Sequence, residues 1–140
     1  MVTNLAAMAM AVLGPMVGVE FAVAAVLHPI TGRLPDDGFR SVRSESARLL
    51  GKVMPFWYIA SFVLLVAAGV TTRSRLIGAA AALLVVVIVT TVAVLVPINN
   101  RIAAWSAPGD VSRDLAARWD RLHALRAAVL VVIWVLLAMG

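Results

Sequence analysis

The sequence predicts an all-α fold, a transmembrane four-helix bundle, and three observations lead to it. Hydrophobic residues make up 63% of the 140-residue chain and charged residues 14%, with a mean hydropathy of +1.01. That is more apolar surface than a soluble domain of this size can bury. The apolar residues fall into four runs, each near the roughly 20 residues that a helix needs to cross a hydrocarbon core of about 30 Å. The charges lie almost wholly between the runs. Four spans leave no room for a second domain, so residues 1–140 are expected to form one unit.

The first run, Leu5 to Leu27, carries a single charge, Glu20. Ala22-Val23-Ala24 looks like a signal-peptide cleavage site, but no basic residue precedes the run and it is too long, so it is expected to be a retained span. Its Gly14, Gly18 and Ala22 form a small-residue face suited to helix packing. From Asp36 to Gly51 there are helix-start signals and apolar residues at Phe39, Val42, Leu49 and Leu50. This pattern predicts an amphipathic interfacial helix over about 36–51. The second span, Val53 to Val70, opens with Pro55, tolerated in a first turn, and places Trp57 and Tyr58 at the depth of an aromatic belt. The third, Leu76 to Ile98, is rich in β-branched residues, yet about 23 continuous apolar residues is a helix length rather than a strand length.

The fourth span, about Leu115 to Met139, is the most informative. Only 14 uncharged residues follow Arg126, which at about 1.5 Å each cover roughly 21 Å of a 30 Å core. The helix must therefore begin earlier, and His123 and Arg126 lie at membrane depth. Asp110 or Ser112 can cap it after the Ala107-Pro108-Gly109 turn.

The chain has no cysteine, which excludes disulfides, thiol catalysis and thiolate metal sites. The net charge of +5 comes from basic residues in short loops, so the expected partners are membrane lipids and not nucleic acid. The loop from His28 to Lys52 carries Arg33, Arg40, Arg43, Arg48 and Lys52, and that from Asn99 to Arg121 carries Arg101, Arg113, Arg118 and Arg121. The opposite side has only Arg73 and Arg75. The positive-inside rule predicts a multi-pass protein of the cytoplasmic membrane with both long loops cytoplasmic and both termini outside. Self-association into a homo-oligomer is compatible with this arrangement.

Ionisable residues inside a membrane are costly and tend to face the bundle interior. His28 ends span one before Pro29. Asn99, Asn100 and Arg101 end span three after Pro97. Trp119, His123 and Arg126 share one face of helix four at i, i+4 and i+7. The topology puts all three groups in one layer, as a site between bundle helices requires. Each also has a plainer reading: His123 as a hydrogen-bonded structural histidine, His28 as a cap or headgroup contact, Arg101 and Arg126 as snorkelling cations, and Trp119 as an interfacial anchor. Glu20 lies eight residues before His28, about 12 Å deeper on a straight helix, at the floor of the layer. Of the seven acidic residues, Asp36, Asp37, Glu45, Asp110, Asp114 and Asp120 sit in loops or at the start of helix four. Glu20 is thus the one carboxylate at Arg126's depth, and a Glu20 to Arg126 ion pair is expected.

Several segments carry a resemblance: Gly18-Val19-Glu20-Phe21, Pro29-Ile30, Arg33-Leu34-Pro35, Val96-Pro97-Ile98-Asn99 with Arg101 and Trp105, Arg118-Trp119-Asp120, and Leu122-His123 with Arg126. In this order, over nearly the whole chain, they resemble the anthrone-oxygenase-like family of small four-span membrane proteins, many of them known only as a domain of unknown function. The resemblance implies oxidation of a hydrophobic phenolic polycycle by O2 as co-substrate, with no cofactor predicted and no metal. His123 would then be the general base that forms a carbanion, Asn99 and Arg101 would stabilise the enolate, and Glu20 would set the local field with Arg126. Trp119 would stack on the ring, and Asn100 and His28 would complete the substrate-binding wall. His28 has no counterpart in the quoted pattern. Two alternatives stand beside this reading. One is a redox protein whose His28 and His123 ligate haem or copper; the other is a non-catalytic membrane partner or lipid-binding module.

Overall fold

A computed structural model describes residues 2–140 and is helical nearly throughout. Four helices are long and apolar enough to cross a membrane: α1 (Asn4–Thr31), α2 (Asp36–Thr72), α3 (Arg75–Ala103) and α4 (Arg113–Met139). Each packs on the next, and α4 returns to α1, so the order around the bundle follows the chain. The expected transmembrane four-helix bundle is the fold.

The interior holds two apolar clusters. The larger takes Leu13 and Met16 from α1, Leu65 from α2, Ile77 and Leu84 from α3, and Leu130 and Ile133 from α4. The smaller lies at the end formed by the two long connections, which we call the head, and joins Phe39, Ile98, Ile102, Trp105, Ala116 and Trp119. Phe56, Val63, Val70, Val86 and Val89 point outwards, the inside-out arrangement that only lipid makes favourable.

The helices run further towards the head than their apolar cores. The segment expected as a separate interfacial helix over 36–51 is instead the first part of α2, continuous for 37 residues, about 55 Å of helix against a core of about 30 Å. Gly51 and Pro55 lie within it without ending it, so Pro55 stands in mid-helix and not in the first turn expected for it, and Phe39 and Ala47, on its inner face, are buried against the head cluster rather than in lipid. Asp36 and Asp37 occupy its first turn, where the helix dipole favours acidic residues. At its far end Arg73 adopts a left-handed conformation (φ 53°) and its N–H bonds Gly69 O. Ser74 Oγ then caps α3 by accepting from Ile77 N. Ser112, not Asp110, caps α4, accepting from Leu115 N. Asp110 caps the preceding turn by accepting from the N–H groups of Ser106 and Ala107, both at 3.0 Å.

Two of the four prolines inside α1–α4, Pro29 and Pro97, leave a specific mark, whereas Pro15 and Pro55 lie in regular α-helix. Val23–Leu27 in α1 and Thr91–Leu95 in α3 are π-helical turns, each ending two residues before a proline, Pro29 or Pro97. Proline cannot donate to the preceding turn and its ring crowds the carbonyl four residues back, which the wider turn relieves. In α1 this has a consequence for the site. Eight residues of ideal α-helix rotate a side chain by about 80°, and the extra residue taken up by the π turn turns His28 back towards the face that carries Glu20.

Other sequence expectations change. Of the small-residue seam, only Gly14 closes on a neighbour, Trp134, while Gly18 has open space beside it and Ala22 is exposed. Two arginines read as topology signals are braces. Arg113 donates to Asp36, to Gly32 O and to Leu34 O and lies over Phe39; Arg48 Nε caps the end of α3 at Ala103 O.

Candidate functional site

Glu20, fully inside the bundle at 2% exposure, is the hub of the polar layer. Arg126 Nη2 is 2.9 Å from both of its oxygens, and Arg126 Nη1 reaches Thr91 Oγ1 at 3.4 Å. Tyr58 donates its hydroxyl to Glu20 Oε1 at 3.3 Å, and its ring lies beneath the Arg126 guanidinium. His123, as deeply buried as Glu20, presents Nε2 to Glu20 Oε2. The expected Glu20 to Arg126 pair is therefore present, and His123 joins it directly.

One turn towards the head lies a second set of the same composition. Arg43 Nη2 is 2.7 Å and His28 Nδ1 is 3.3 Å from Asp120 Oδ1. Neither contact is well directed as a hydrogen bond, so Arg43 is held to Asp120 by charge attraction rather than by directed bonding. Trp119 joins the two sets: its ring stacks on His123 (centroids 4.7 Å apart, planes at 13°), meets His28 edge-on at 5.3 Å, and lies under the Arg43 guanidinium. His28 and His123 meet edge to face at 5.2 Å. Each set thus pairs a histidine and an arginine with one carboxylate.

A cavity of about 310 Å³ opens against this layer, at the lower end of the range for small-molecule sites of about 300–1,000 Å³. Glu20, Trp119, His123 and Arg126 form its polar wall with Asn99 and Asn100, and Met54, Ile59, Val92 and Leu95 are among its apolar lining. A smaller cavity of about 20 Å³, room for one water, adjoins it beside His28, Arg43, Asn99 and Trp119.

Of the residues singled out from sequence, Glu20, Asn99, Asn100, Trp119, His123 and Arg126 share the large cavity, and His28 reaches only the smaller one. Arg101 lines neither and is exposed; one residue beyond Asn100, it is turned by about 100° out of the bundle. Trp119 has His123 on its ring and Arg43 over it, which leaves the indole edge, not an open face, for a ligand. Asn99 donates one N–H to Ala47 O at 3.0 Å and keeps its second. Tyr58, read from sequence as an aromatic anchor, Arg43, read as a loop cation, and Asp120 and Thr91 were not among the site candidates. Asp120 follows Trp119 directly and lies one turn before His123, a signal that was available, whereas Arg43 was indistinguishable from its loop neighbours.

No curated protein and no solved structure matches the chain. The family model described as anthrone oxygenase matches residues 39–136, from Phe39 in the head to Leu136 near the end of α4, and takes in every site residue except Glu20 and His28. With more than half of its length matched and four helices able to span a membrane, the chain belongs to the anthrone oxygenase family.

Proposed function

We propose that the protein is a membrane-embedded oxygenase that oxidises flat phenolic polycycles of the anthrone type with O2 and without an organic cofactor. The observation that carries this reading is the arrangement of His123: it lines the cavity, its Nε2 faces the Glu20 carboxylate, and its buried Nδ1 has no partner. A proton held on Nε2 by the carboxylate leaves the lone pair on Nδ1, the tautomer of a general base. Arg126 balances the charge of Glu20, so the layer can remain ionised in a dry interior.

The methylene of an anthrone gives its proton to Nδ1, and the electron pair left behind spreads onto the conjugated carbonyl as an enolate. Trp119 Nε1, another buried donor with no partner, and the second N–H of Asn99 would hold that oxygen. The carbanion carbon then forms a C–O bond to O2, and His123 returns its proton to the peroxide. Removal of the second C–H with cleavage of O–O gives the ketone and water, so CH2 and O2 become C=O and H2O with His123 restored.

The alternative in which His28 and His123 ligate a haem or copper fits less well. His123 already directs Nε2 at Glu20 and its ring is in edge contact with His28, leaving no gap between them for a macrocycle. The head, which carries most of the arginines, is placed on the cytoplasmic side. The test is oxygen uptake and quinone formation in vesicles loaded with an anthrone. Equal moles of O2 and quinone are expected, with His123→Gln slower by about 10²–10⁴-fold, the usual contribution of a general base. A His123→Gln variant as fast as the native protein would refute His123 as the base, and oxidation no faster than in protein-free vesicles would refute the oxygenase reading and leave the lipid-binding alternative.

A further inference from the structure

Helices α2 and α3 touch at two levels and part between them. Near the Arg73 turn, Gly69 lies against Ile77 and Gly78; towards the head, Asn99 bonds Ala47 O. Between these contacts α3 makes its π turn, Thr91–Leu95, and the large cavity lies against it. Ile59 of α2 and Val92 and Val96 of α3 line the cavity and are also exposed on the outside of the bundle, Ile59 by 60% and Val92 by 64%. They belong to the apolar spans, so the outside they face is acyl chain and not water. The head cluster closes the bundle above, through Phe39, Ile102, Trp105 and Ala116.

We infer that the cavity is a lateral slot between α2 and α3, opening into the bilayer at Ile59, Val92 and Val96, through which an amphiphilic aromatic molecule dissolved in lipid reaches the Glu20, His123 and Arg126 layer without crossing water. The slot is graded. Asn99 and Asn100 stand at its headward end, where headgroups begin, and valines and Ile59 at its deeper end. A flat molecule with an oxygen at one edge therefore slides in with that edge towards the asparagines and its rings in the apolar part. The π turn before Pro97 is what holds α3 away from α2 at this level. The identity of the ligand rests on the proposed reaction; the slot itself rests on geometry alone.

The test uses an uncharged aromatic diazirine dissolved in phospholipid vesicles that contain the protein, with carbene adducts mapped by mass spectrometry after illumination. Adducts are expected on Met54 and Leu95, which are buried but line the slot, and not on Leu84, which is buried away from it. Val92→Trp or Ile59→Trp should cut labelling of Met54 by about tenfold, within the one to three decades over which access rates vary among variants of one site. Val89→Trp, on the lipid face of the same helix but off the slot, should leave it unchanged. Absence of adducts at Met54, or labelling of Met54 that both slot tryptophans leave untouched, would overturn the slot. Labelling as expected without anthrone oxidation would keep the slot and remove the oxygenase reading; oxidation without labelling of Met54 would do the reverse.

Discussion

Replacing either Glu20 or Arg126 by glutamine should harm the fold more than replacing both. Arg126 Nη2 sits 2.9 Å from each carboxylate oxygen, and the side chains are only 3% and 11% exposed, so neither charge has water to fall back on. Removing one partner of such a pair leaves the other buried and uncompensated, a loss of about 3–5 kcal/mol. For a chain of this length that is a fall in Tm on the order of 10 °C. Glu20→Gln also replaces one of the two acceptor oxygens that Tyr58 and His123 face with an NH2 group, so it should be the worse of the two. The double variant places two amides side by side with no net charge, so its loss should be smaller than that of either single, below about 3 kcal/mol, and far short of their sum. Thermal unfolding in detergent followed by circular dichroism measures all four proteins. Losses that simply add would show that the two residues are not coupled and that the layer is not organised around Glu20.

Four further outcomes follow from the geometry. Trp57 Nε1 donates to Val12 O at 2.8 Å and ties α2 to α1 just before Pro15; Trp57→Phe should cost about 1 kcal/mol in the same unfolding measurement. Leu84→Ala empties a site in the middle of the main cluster that is fully buried and should cost about 2–5 kcal/mol. The amides of Ser106 and Ala107 hold the Asp110 carboxyl below its usual range. Because the folded value is the lower one, the order it gives the turn is present above the unfolded value and is lost as pH falls through the folded value. Protection of those two amides against hydrogen exchange, measured relative to the intrinsic rate at each pH, should therefore fall in acid, and Asp110→Asn should remove that change in protection. The chain contains no cysteine, so Gly109→Cys and Ser74→Cys each report one side of the membrane. A membrane-impermeant thiol reagent applied from the cytoplasmic side should label the first and not the second, and the opposite pattern would reverse the orientation.

How far the sequence led can be traced residue by residue. The spans were legible because membrane length and hydrophobicity leave few alternatives. The Glu20 and Arg126 pair was legible because a lone carboxylate and an arginine at matching depth have no better partner. The π turns were not, though Pro29 and Pro97 marked their places, because a proline in a span can end, kink or widen a helix with equal local justification. Without the turn in α1, Glu20 and His28 point to different faces, whereas the sequence separated them only by depth, about 12 Å along a straight helix. Arg43, Arg48 and Arg113 were counted with the loop cations because charge and position alone do not separate a brace from a topology signal. Arg101 was misplaced for the opposite reason: adjacency to Asn99 and Asn100 says nothing about which way a neighbouring helical residue points.

The most direct test of the central claim isolates the proton step from oxygen. Under anaerobic conditions in D2O, vesicles carrying the protein and an anthrone should exchange the methylene hydrogens for deuterium, read by mass spectrometry, faster than vesicles without protein. His123→Gln should remove nearly all of that increase, and Glu20→Gln most of it if the folded protein is recovered, because Nε2 is then no longer held by a carboxylate. Exchange no faster than in protein-free vesicles, or undiminished in His123→Gln, would contradict the assignment of His123 as the base.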